Sequence, residues 1–383
     1  MTIPASVYQA EKVHEDLKNL KQTIDTNAIM RRALEEGRKR GKGLFAQLSE
    51  YLKLLRSPGS LDFPDYYVYR LFDDSQLTLA EKQRFISDRF YFKIIEKCCD
   101  KRWFILADDK FWADSILRMH GYPVAETQAV YCESGREFGE VPAIRDDQEL
   151  ARFLQNDARF PVYSKPINGV ASLGNFLIEG IDDDTVILAN GERMPVAVLV
   201  AQLERSIGQL FQSTLVSHPD LNDVCGRVST IRVILIIRND EVRILSTVWK
   251  IPNSKNIADN FWRVGNSLGS VDPDTGVVER AVHYVDGAPV EIEPDSPTGA
   301  ALIGRQLPDW QESMDICYRG ARLFSELKFQ GWDIGLTDHG PVVVEVNPGS
   351  SFILSQVASG RGFLTDEFYE FVVECGHPLK PFK

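Results

Sequence analysis

Residues 331–350, GWDIGLTDHGPVVVEVNPGS, alternate apolar and polar side chains in two runs that a short turn separates. Alternation with a period of two on both sides of a turn is typical of a β-hairpin. The connector 338–340 fits a three-residue loop in which Gly340 takes the left-handed conformation. With this loop, Asp333 lies directly opposite Glu345 on the neighbouring strand. The surrounding fold therefore has to accommodate two acids on one face of a hairpin.

The same register assigns the other hairpin residues to two faces. It pairs Gly335 with Val343, and it puts Val343 and Asn347 on the face of Glu345. Trp332 lies on the opposite face with the other large apolar side chains of its strand. One face is therefore expected to be core, and the other is expected to be polar.

Two carboxylates directly opposed across strands have Cβ atoms about 4.5–5.5 Å apart and repel each other. Either one carboxyl takes up a proton, or a cation lies between them. Asn347 adds a neutral oxygen beside Asp333 and Glu345, which completes a ligand set that Mg²⁺ prefers. Because Mg²⁺ keeps open positions for phosphate oxygens, the set also predicts a bound nucleotide. The alternative is an edge hairpin whose polar face meets water.

The chain of 383 residues is long enough for two or three domains. Residues 1–100 read mostly as helices. Thr78 and Glu81 form a capping box at the start of a helix that the apolar spacing continues to residue 99. The N-terminal part is therefore expected to be mainly helical.

Short strands alternate with helices from residue 101 onward. A β-like run at 102–108 comes first, and the segment 231–251 is a hairpin around a short turn. Asp309 and Glu312 suggest a second capping box, for a helix at 309–328. The pattern as a whole predicts a mixed α+β fold.

Composition and charge limit the location and the partners. The net charge of −12 argues against nucleic acid, whose recognition begins with a basic surface. No apolar run reaches the roughly 20 residues that span a bilayer, and residues 1–17 lack the apolar core of a secretory signal. The six cysteines form no CxxC pair and are expected to be reduced thiols. We therefore expect a cytoplasmic protein without a membrane partner.

Two lysines stand where a phosphate could bind. Lys165 ends an apolar strand, FPVYSK, and precedes a loop that contains Gly169 and Gly174. A lysine charge beside such backbone is typical of a phosphate contact. The alternative is a strand-end lysine whose ammonium reaches out to solvent. Lys110 opens a helix after the aspartates at 108–109, and these neighbours alone would explain it as their counter-charge.

Arg232 lies in a strand, residues 231–236, that carries apolar side chains on both faces. Such a strand is expected to be central in its sheet, where a guanidinium needs an anionic partner. That partner is either internal, for instance Asp333 or Glu345, or a phosphoryl group, which suits the planar five-donor fork. Both readings stay open at this point.

The chain resembles the sugar-transfer-associated branch of the ATP-grasp superfamily, which is related to the α-L-glutamate ligases. The matching segments follow the family's order over most of the chain. They are DYYVYRLFDD (65–74), DDKFWADSILRMHGYPVAET (108–127), FPVYSKPINGVASLGNFLIE (160–179), LVSHPDLND (215–223), STIRVILI (229–236), ADNFWRVG (258–265), SVDPDTG (270–276) and WDIGLTDHGPVVVEVNPGS (332–350). The ordered series, more than any one segment, carries the resemblance.

The resemblance implies the ATP-grasp fold, in which two α+β subdomains clasp Mg²⁺-ATP, here with Mn²⁺ as an alternative metal. It divides the chain into a helical region at 1–100, a small or lid subdomain with its preceding segment at 101–210, and a large subdomain at 211–383. The large subdomain would carry the metal and phosphate site.

The resemblance also assigns roles to residues. It gives nucleotide binding to Lys110, Lys165, Gly169, Ser172, Gly174 and Gln212, catalysis to Arg232, Asn260 and Arg263, and the metal to Asp333, Glu345 and Asn347. The sequence departs from the family's pattern at Ser213, where the adenine hinge often has an acid, and at Val264, where a glycine is usual.

The resemblance implies an ATP-dependent ligase. It would phosphorylate a small-molecule carboxylate and join the acylphosphate to an amine, in surface-sugar, peptide or secondary-metabolite biosynthesis. One alternative is a phosphotransferase that acts on a hydroxyl, and another is a non-catalytic nucleotide-binding protein. The identity of both substrates and the existence of a homodimer stay open.

Overall fold

The computed structural model describes residues 26–169, 174–253, 259, 261, 265–285, 288–292 and 299–382. Predictions for Ser172, Asn260, Arg263 and Val264 lie outside these residues. The described chain is an α+β fold in which helices precede two seven-stranded sheets, as the sequence predicts. Within the same residues, no helix is both long enough and apolar enough to cross a bilayer.

The described N-terminal residues, from 26 onward, are mainly helical, in agreement with the prediction. Its helices are α1 (Thr26–Lys39), α2 (Leu44–Leu54), α3 (Phe63–Val68), α4 (Leu79–Lys82), α5 (Tyr91–Cys98), α6 (Phe104–Asp108) and α7 (Lys110–Met119). Single turns of 3-10 helix at Asp88–Phe90 and Lys101–Trp103 connect some of them.

The capping box before α4 is confirmed, but the predicted long helix is wrong. The backbone N–H of Glu81 donates to the Thr78 hydroxyl at 3.3 Å, and that of Thr78 donates to the Glu81 carboxylate at 2.7 Å. The helix ends at Lys82, because the backbone beyond it bonds to another element. The N–H of Ile86 donates to Gln356 Oε1 at 2.8 Å.

The β-like run at 102–108 is helical, so its assignment as a strand is wrong. The Asp100 side chain accepts a hydrogen bond from the backbone N–H of Arg102 at 3.0 Å and caps the turn that leads into α6. A short apolar run does not separate a strand from a buried helix by periodicity alone. The cap therefore decides the structure here.

The first sheet lies between residues 127 and 213 and has the strand order β2-β1-β7-β3-β4-β5-β6. Its strands are β1 (Thr127–Tyr131), β2 (Ala143–Ile144), β3 (Val162–Pro166), β4 (Phe176–Asp182), β5 (Thr185–Leu188), β6 (Arg193–Pro195) and β7 (Gln209–Ser213). Helices α8 (Asp147–Arg152) and α9 (Val196–Val200) and the π-helix Phe153–Asp157 contribute to the apolar core of this sheet. The sheet thus continues three residues beyond the expected boundary at residue 210.

The second sheet has the strand order β12-β11-β10-β9-β8-β13-β14. Its strands are β8 (Thr230–Arg238), β9 (Glu241–Ile251), β10 (Ser267–Val271), β11 (Val278–Val285), β12 (Ala288–Glu291), β13 (Phe329–Thr337) and β14 (Gly340–Pro348). The predicted hairpin at 231–251 is confirmed, with Asn239 at φ 53° and Asp240 at φ 62° in its turn. β8 lies between β9 and β13, so the predicted central position of Arg232 is also confirmed.

The second sheet buries both of its faces. The helices that follow it or interrupt it are α10 (Trp310–Gly320), α11 (Phe352–Ser359) and α12 (Asp366–Glu374). Trp249 and Trp332 share one apolar cluster with residues of α10 and α12. Val248 and Leu268 share another with α11 and with N-terminal residues such as Tyr66. The N-terminal helices therefore complete the core of the sheet that carries the polar hairpin.

The capping box predicted for Asp309 and Glu312 is wrong. Asp309 has φ 49° and makes no capping hydrogen bond with its side chain, whereas an N-cap residue has extended backbone. Its carboxylate instead lies 3.7 Å from His218 Nε2. The helix ends at Gly320 and is followed by a 3-10 turn, Ala321–Phe324.

Gly349 directly follows the second strand of the polar hairpin, where the packing is tight. Its φ is +76°, and a Cβ there would lie 2.4 Å from Ile95 Cγ2 and 3.0 Å from Phe329 Cδ1. We expect Gly349→Ala to lower the free energy of unfolding by about 2–3 kcal/mol in urea denaturation, from backbone strain and overpacking together. Gly121→Ala is the matched control, because Gly121 has φ +78° but nothing within 4 Å of its Cβ position. Equal losses in both variants would contradict the packing argument.

Candidate active site

The hairpin of β13 and β14 brings the two acids together as predicted, by a different route. The loop is one residue shorter than expected, since Thr337 pairs with Gly340. Near the loop the predicted register is therefore wrong. A β-bulge leaves Val344 without a partner and restores the pairing of Asp333 with Glu345. The opposition of the two acids is confirmed.

The bulge also changes which side chains share a face. Val343 pairs with Ile334 and lies in the apolar core together with Val346. Its predicted place beside Glu345 is therefore wrong, because the extra residue at the bulge reverses the alternation on the loop side. Trp332 is fully buried in the same core, as expected.

The guanidinium of Arg232 clamps the Asp333 carboxylate. Its Nε and Nη2 donate to the two carboxylate oxygens, with an Nη2–Oδ2 distance of 2.7 Å. Its Nη1 donates to Ser350 Oγ at 3.3 Å. Burial alone would lower the pKa of Arg232, but Asp333 outweighs burial and raises it. Of the two partners that the sequence left open, this structure shows the internal carboxylate.

Lys250 of β9 is a second cation at Asp333, and the sequence analysis missed it. Its Nζ lies 3.1 Å from Asp333 Oδ2 and 3.3 Å from Asp259 Oδ1, and the Thr230 hydroxyl also donates to Asp259. The sequence contains a signal for this contact, because Lys250 lies near the end of one apolar strand of the 231–251 hairpin and Arg232 lies within the other. A lysine in such a strand needs an anionic partner, as Arg232 does.

The positive charge around Asp333 explains why the two acids coexist. Burial would raise the pKa of Asp333, but Arg232 and Lys250 outweigh it and hold the pKa well below its usual value. From the hairpin alone, a proton or a cation between the acids was expected, and Arg232 was one candidate partner of Asp333. The protein's own side chains supply the charge instead, so neither is needed to hold Asp333 and Glu345 together.

Lys110 balances the charge of Glu345, as Arg232 and Lys250 balance that of Asp333. Its Nζ lies 3.0 Å from Glu345 Oε1 and donates to the carbonyl oxygen of Gly169 at 2.7 Å. Burial would raise the pKa of Glu345, but Lys110 outweighs it and lowers the pKa. Lys110 opens α7, and Gly169 follows β3 of the first sheet, whereas Glu345 lies on the second sheet. The contact therefore joins the two halves of the fold.

Lys165 makes the second contact between the halves. It is 7% exposed, and its Nζ donates to the carbonyl oxygen of Val344 at 3.3 Å. The alternative of a lysine that reaches into solvent is therefore wrong. Burial lowers the pKa of Lys165, and Asp114 and Glu345 oppose that shift. A bulged carbonyl and a buried ammonium thus meet next to Glu345.

Asn347 carries an unpartnered polar atom at the site. Its Nδ2 is buried and has no hydrogen-bond partner, which costs about 1–3 kcal/mol in a closed protein interior. Rotating the amide by half a turn presents its oxygen at the same place. The Glu345 side chain on the same face is 23% exposed and accessible. These two residues fit a Mg²⁺ ion with phosphate oxygens.

Asp333 fits the metal less directly. Its side chain is 5% exposed, and both oxygens already accept hydrogen bonds from Arg232 and Lys250. It can reach a cation only by exchanging one of these bonds. In the described part of the chain, no group of three His, Cys, Asp or Glu side chains suits a metal ion. The ligand set consequently depends on the amide of Asn347.

Of the other predicted nucleotide residues that the structure describes, Gln212 lies on the first sheet and Gly169 and Gly174 lie beside it. Gln212 is 2% exposed, and its Nε2 donates to Asp114 Oδ2 at 3.0 Å and to Thr127 Oγ1 at 3.1 Å. Its amide nitrogen is thus already engaged. The carbonyl of Gly174 accepts from Gln209 Nε2 at 2.9 Å, which secures the end of the glycine-containing loop.

Asp108, at the end of α6, is a further acid at the site that the sequence analysis assigned no role. Burial raises its pKa to about 6; Lys110 opposes the shift, whereas Glu345 adds to it. A carboxyl that titrates in this range could exchange protons near neutral pH. In the sequence, only the position of Asp108 close to Lys110 indicated that it lies at the site.

Residues 89–368 match the family model described as sugar-transfer associated ATP-grasp. The chain belongs to this family. The match includes every residue of the site described above, and it gives the chain the ATP-grasp fold, as the resemblance implied. No curated protein matches the chain.

Solved structures with a similar fold are distant. D-alanine–D-alanine ligase from Helicobacter pylori has 14% identity and a TM-score of 0.39, covering 72% of this chain and 62% of its own. N5-carboxyaminoimidazole synthase from Aspergillus clavatus has 13% identity and a TM-score of 0.39, and the match covers 72% of this chain and 57% of that protein. Biotin carboxylase from Campylobacter jejuni has 9% identity and a TM-score of 0.43, and the match covers 77% of this chain and 52% of that protein. The chain spans less than two thirds of each of these proteins, and likenesses at this level carry no argument about activity.

Proposed function

We propose that this ATP-grasp protein is an ATP-dependent carboxylate–amine ligase. The observation that supports the proposal best is that Lys110 and the buried Lys165 both contact β14, the strand that carries Glu345 and Asn347. Lys110 and Lys165 reach across from the first half of the fold to β14 of the second. The two ammonium groups suit the phosphates of a nucleotide. The carboxylate and the unpartnered amide nitrogen nearby suit a metal ion that those phosphates bind.

The lysines would bind the α- and β-phosphates. Within the protein, Lys110 is balanced by Glu345, and Lys165 donates to the Val344 carbonyl. Phosphate oxygens are stronger partners for an ammonium than a backbone carbonyl is. Nucleotide binding would therefore draw both ammonium groups to the phosphates and free Glu345.

Arg232 would meet the phosphoryl group in transfer. Two of its nitrogens are occupied by Asp333, and its Nη1 holds only a 3.3 Å hydrogen bond to Ser350 Oγ among the contacts given above. This nitrogen is the one that can turn to an equatorial phosphoryl oxygen. Because Asp333 and Lys250 fix the guanidinium plane, little reorganisation would be needed.

Glu345 and Asn347 would hold Mg²⁺, and Asp333 would join them by exchanging a hydrogen bond. When bound, the ion would neutralise charge on the transferred and leaving phosphate oxygens.

The proposed reaction has two bond exchanges. A substrate carboxylate oxygen attacks the γ-phosphorus of ATP, and the bond from that phosphorus to the ADP oxygen breaks. The amine nitrogen then attacks the carbonyl carbon of the acylphosphate, phosphate leaves, and the nitrogen loses a proton to solvent. The family description, sugar-transfer associated, supports a sugar acid or an amino sugar as one substrate.

Phosphate release tests the proposal. The protein, ATP and Mg²⁺ are incubated with a panel of sugar acids and amino acids, each with and without an amine. We expect release that requires both a carboxylate and an amine, and we expect hydroxylamine to replace the amine and give a hydroxamate. A stable phosphorylated product that resists hydroxylamine would instead show a phosphotransferase. ATP binding without turnover across the panel would show a non-catalytic nucleotide-binding protein.

A further inference from the structure

A cavity of about 540 Å³ lies away from the proposed active site, where the end of α5 meets the end of α12. It is lined by the segment 97–100, the end of β8 and its turn at 237–239, Glu326 and Lys328 just before β13, and the end of α12. The cavity also brings the adjacent Cys98 and Cys99 together with Cys375, which is far from them in the sequence. The proposed ligase reaction uses none of these thiols.

Two of the three thiols face each other. Cys98, the last residue of α5, is 2% exposed, and Cys375, which directly follows α12, is partly exposed. Both line the cavity, and their thiol groups interact directly. Cys99 is turned away, because its Sγ donates to the carbonyl oxygen of Phe329 at 3.3 Å. The geometry thus selects one pair.

The surroundings give the two sulfurs different characters. The neighbouring Cys98 thiol, with Lys328 in support, lowers the pKa of Cys375 against the opposing effects of burial and of Glu374. The neighbouring Cys375 thiol together with burial raises the pKa of Cys98. The partly exposed sulfur of Cys375 is therefore the one that ionises more readily, and the thiolate is the nucleophile.

We propose that Cys375 and Cys98 are a reversible oxidation site, at which a hydroperoxide converts the two thiols to a disulfide. The cavity admits a small oxidant to Cys375, and Cys98 lies in position to resolve the product. Cys98 is the last residue of α5 and Cys375 directly follows α12, so the disulfide would link two segments that are far apart in the sequence.

The chemistry balances with hydrogen peroxide as the oxidant. The Cys375 thiolate attacks one peroxide oxygen, the O–O bond breaks, and hydroxide leaves with Cys375 as a sulfenic acid. The Cys98 sulfur then attacks the Cys375 sulfur, the S–O bond breaks, and water leaves with the proton of Cys98. The two thiols lose two electrons and two protons, and the peroxide becomes two molecules of water. A dithiol reductant reverses the bond.

Peptide mapping of the whole protein tests the proposal. The reduced protein is treated with hydrogen peroxide, and free thiols, intact mass and non-reduced peptides are measured. We expect the six free thiols to fall to four, the mass to fall by two hydrogen atoms, and one peptide pair to join Cys98 to Cys375. Dithiothreitol should restore all of the thiols.

Variants assign the bond. Cys375→Ser and Cys98→Ser should each abolish the linked peptide, with Cys98→Ala as a second variant at the buried position. Cys225→Ser is the matched control, because a serine hydroxyl can still donate to the carbonyl oxygen of Arg227, as Cys225 does at 3.1 Å. An unchanged thiol count, a bond to any other cysteine, or oxygen added to Cys375 without a link to Cys98 would overturn the proposal.

Discussion

Arg232→Met should lower the free energy of unfolding by about 3–5 kcal/mol, the range observed when one partner of a buried ion pair is removed. Asp333 would keep Lys250 at 3.1 Å but lose the guanidinium, while the residue stays 3% exposed. Urea denaturation of the purified protein measures the loss. Arg238→Met is the control, since Arg238 pairs with the exposed acids Glu370 and Glu374, and it should cost about 0–1 kcal/mol.

A double variant tests whether Arg232 stabilises the protein through its ion pair with Asp333. Adding Asp333→Asn to Arg232→Met removes the unbalanced charge and should recover about 1–3 kcal/mol, the range of coupling between contacting residues. If the double variant is as unstable as the sum of the two single ones, Arg232 does not stabilise the protein through Asp333.

The pH dependence of the same variant has a defined sign. In the wild type, Asp333 has a pKa held below 3.8, so the pair stabilises the protein fully above that pH and less as the pH falls through the native pKa. In Arg232→Met the buried carboxylate has lost its main cation, so its pKa rises and acid relieves the cost by protonation. The stability gap between the two proteins should therefore narrow as the pH falls toward 3.8, and a constant gap would contradict the assignment.

Glu345→Gln should remove most of the effect of Mg²⁺ on ATP binding. We expect Mg²⁺ to tighten ATP binding to the wild type, and we expect the variant to lose about 10–100-fold in that affinity, as is typical when a residue of a metal site is replaced. The amide keeps the shape of the side chain but is a poorer cation ligand, and it no longer attracts Lys110. Titration calorimetry with ATP, with and without Mg²⁺, measures the difference and needs no knowledge of the second substrate.

Glu370→Gln is the matched control for that experiment. Glu370 is an exposed acid on α12 that pairs with Arg238, so its loss should leave ATP binding unchanged. If Glu345→Gln binds Mg²⁺-ATP as the wild type does, the metal role proposed for Glu345 and Asn347 fails. Turnover of ATP by the wild type would then have to rest on another set of ligands.

The sequence was sufficient where the structure depends on neighbours along the chain. Alternation with a period of two, together with a short turn, predicted a hairpin with Asp333 and Glu345 on one face, although their direct opposition also required the bulge at Val344. Apolar side chains on both faces placed Arg232 in a central strand, and the capping box started α4 where expected. The family resemblance supplied the fold, which local patterns alone do not define.

The sequence was insufficient where the structure depends on distant packing. β14 is the edge strand of the second sheet, and next to the bulge the N–H of Val343 donates to the carbonyl oxygen of Pro123 at 2.9 Å. Counting residues from the loop therefore gave the right pair of acids but a wrong register between that pair and the loop. The early end of α4 depends on Gln356, which reaches the backbone of Ile86 from a helix near the other end of the chain. Neither partner is visible within a sequence window.

The sequence alone determined which residues carry charge and on which strand face the two acids meet, because side-chain direction follows from backbone period. Only the tertiary structure decided what balances them. Lys110 comes from a helix and Lys165 from a strand of the first sheet, and their ammonium groups reach the hairpin only when the two halves of the fold are packed together. Lys250 reaches the hairpin from β9, two strands away in the same sheet. A buried charge is stabilised by what lies within a few ångströms of it, and that neighbourhood is set by packing across the whole chain.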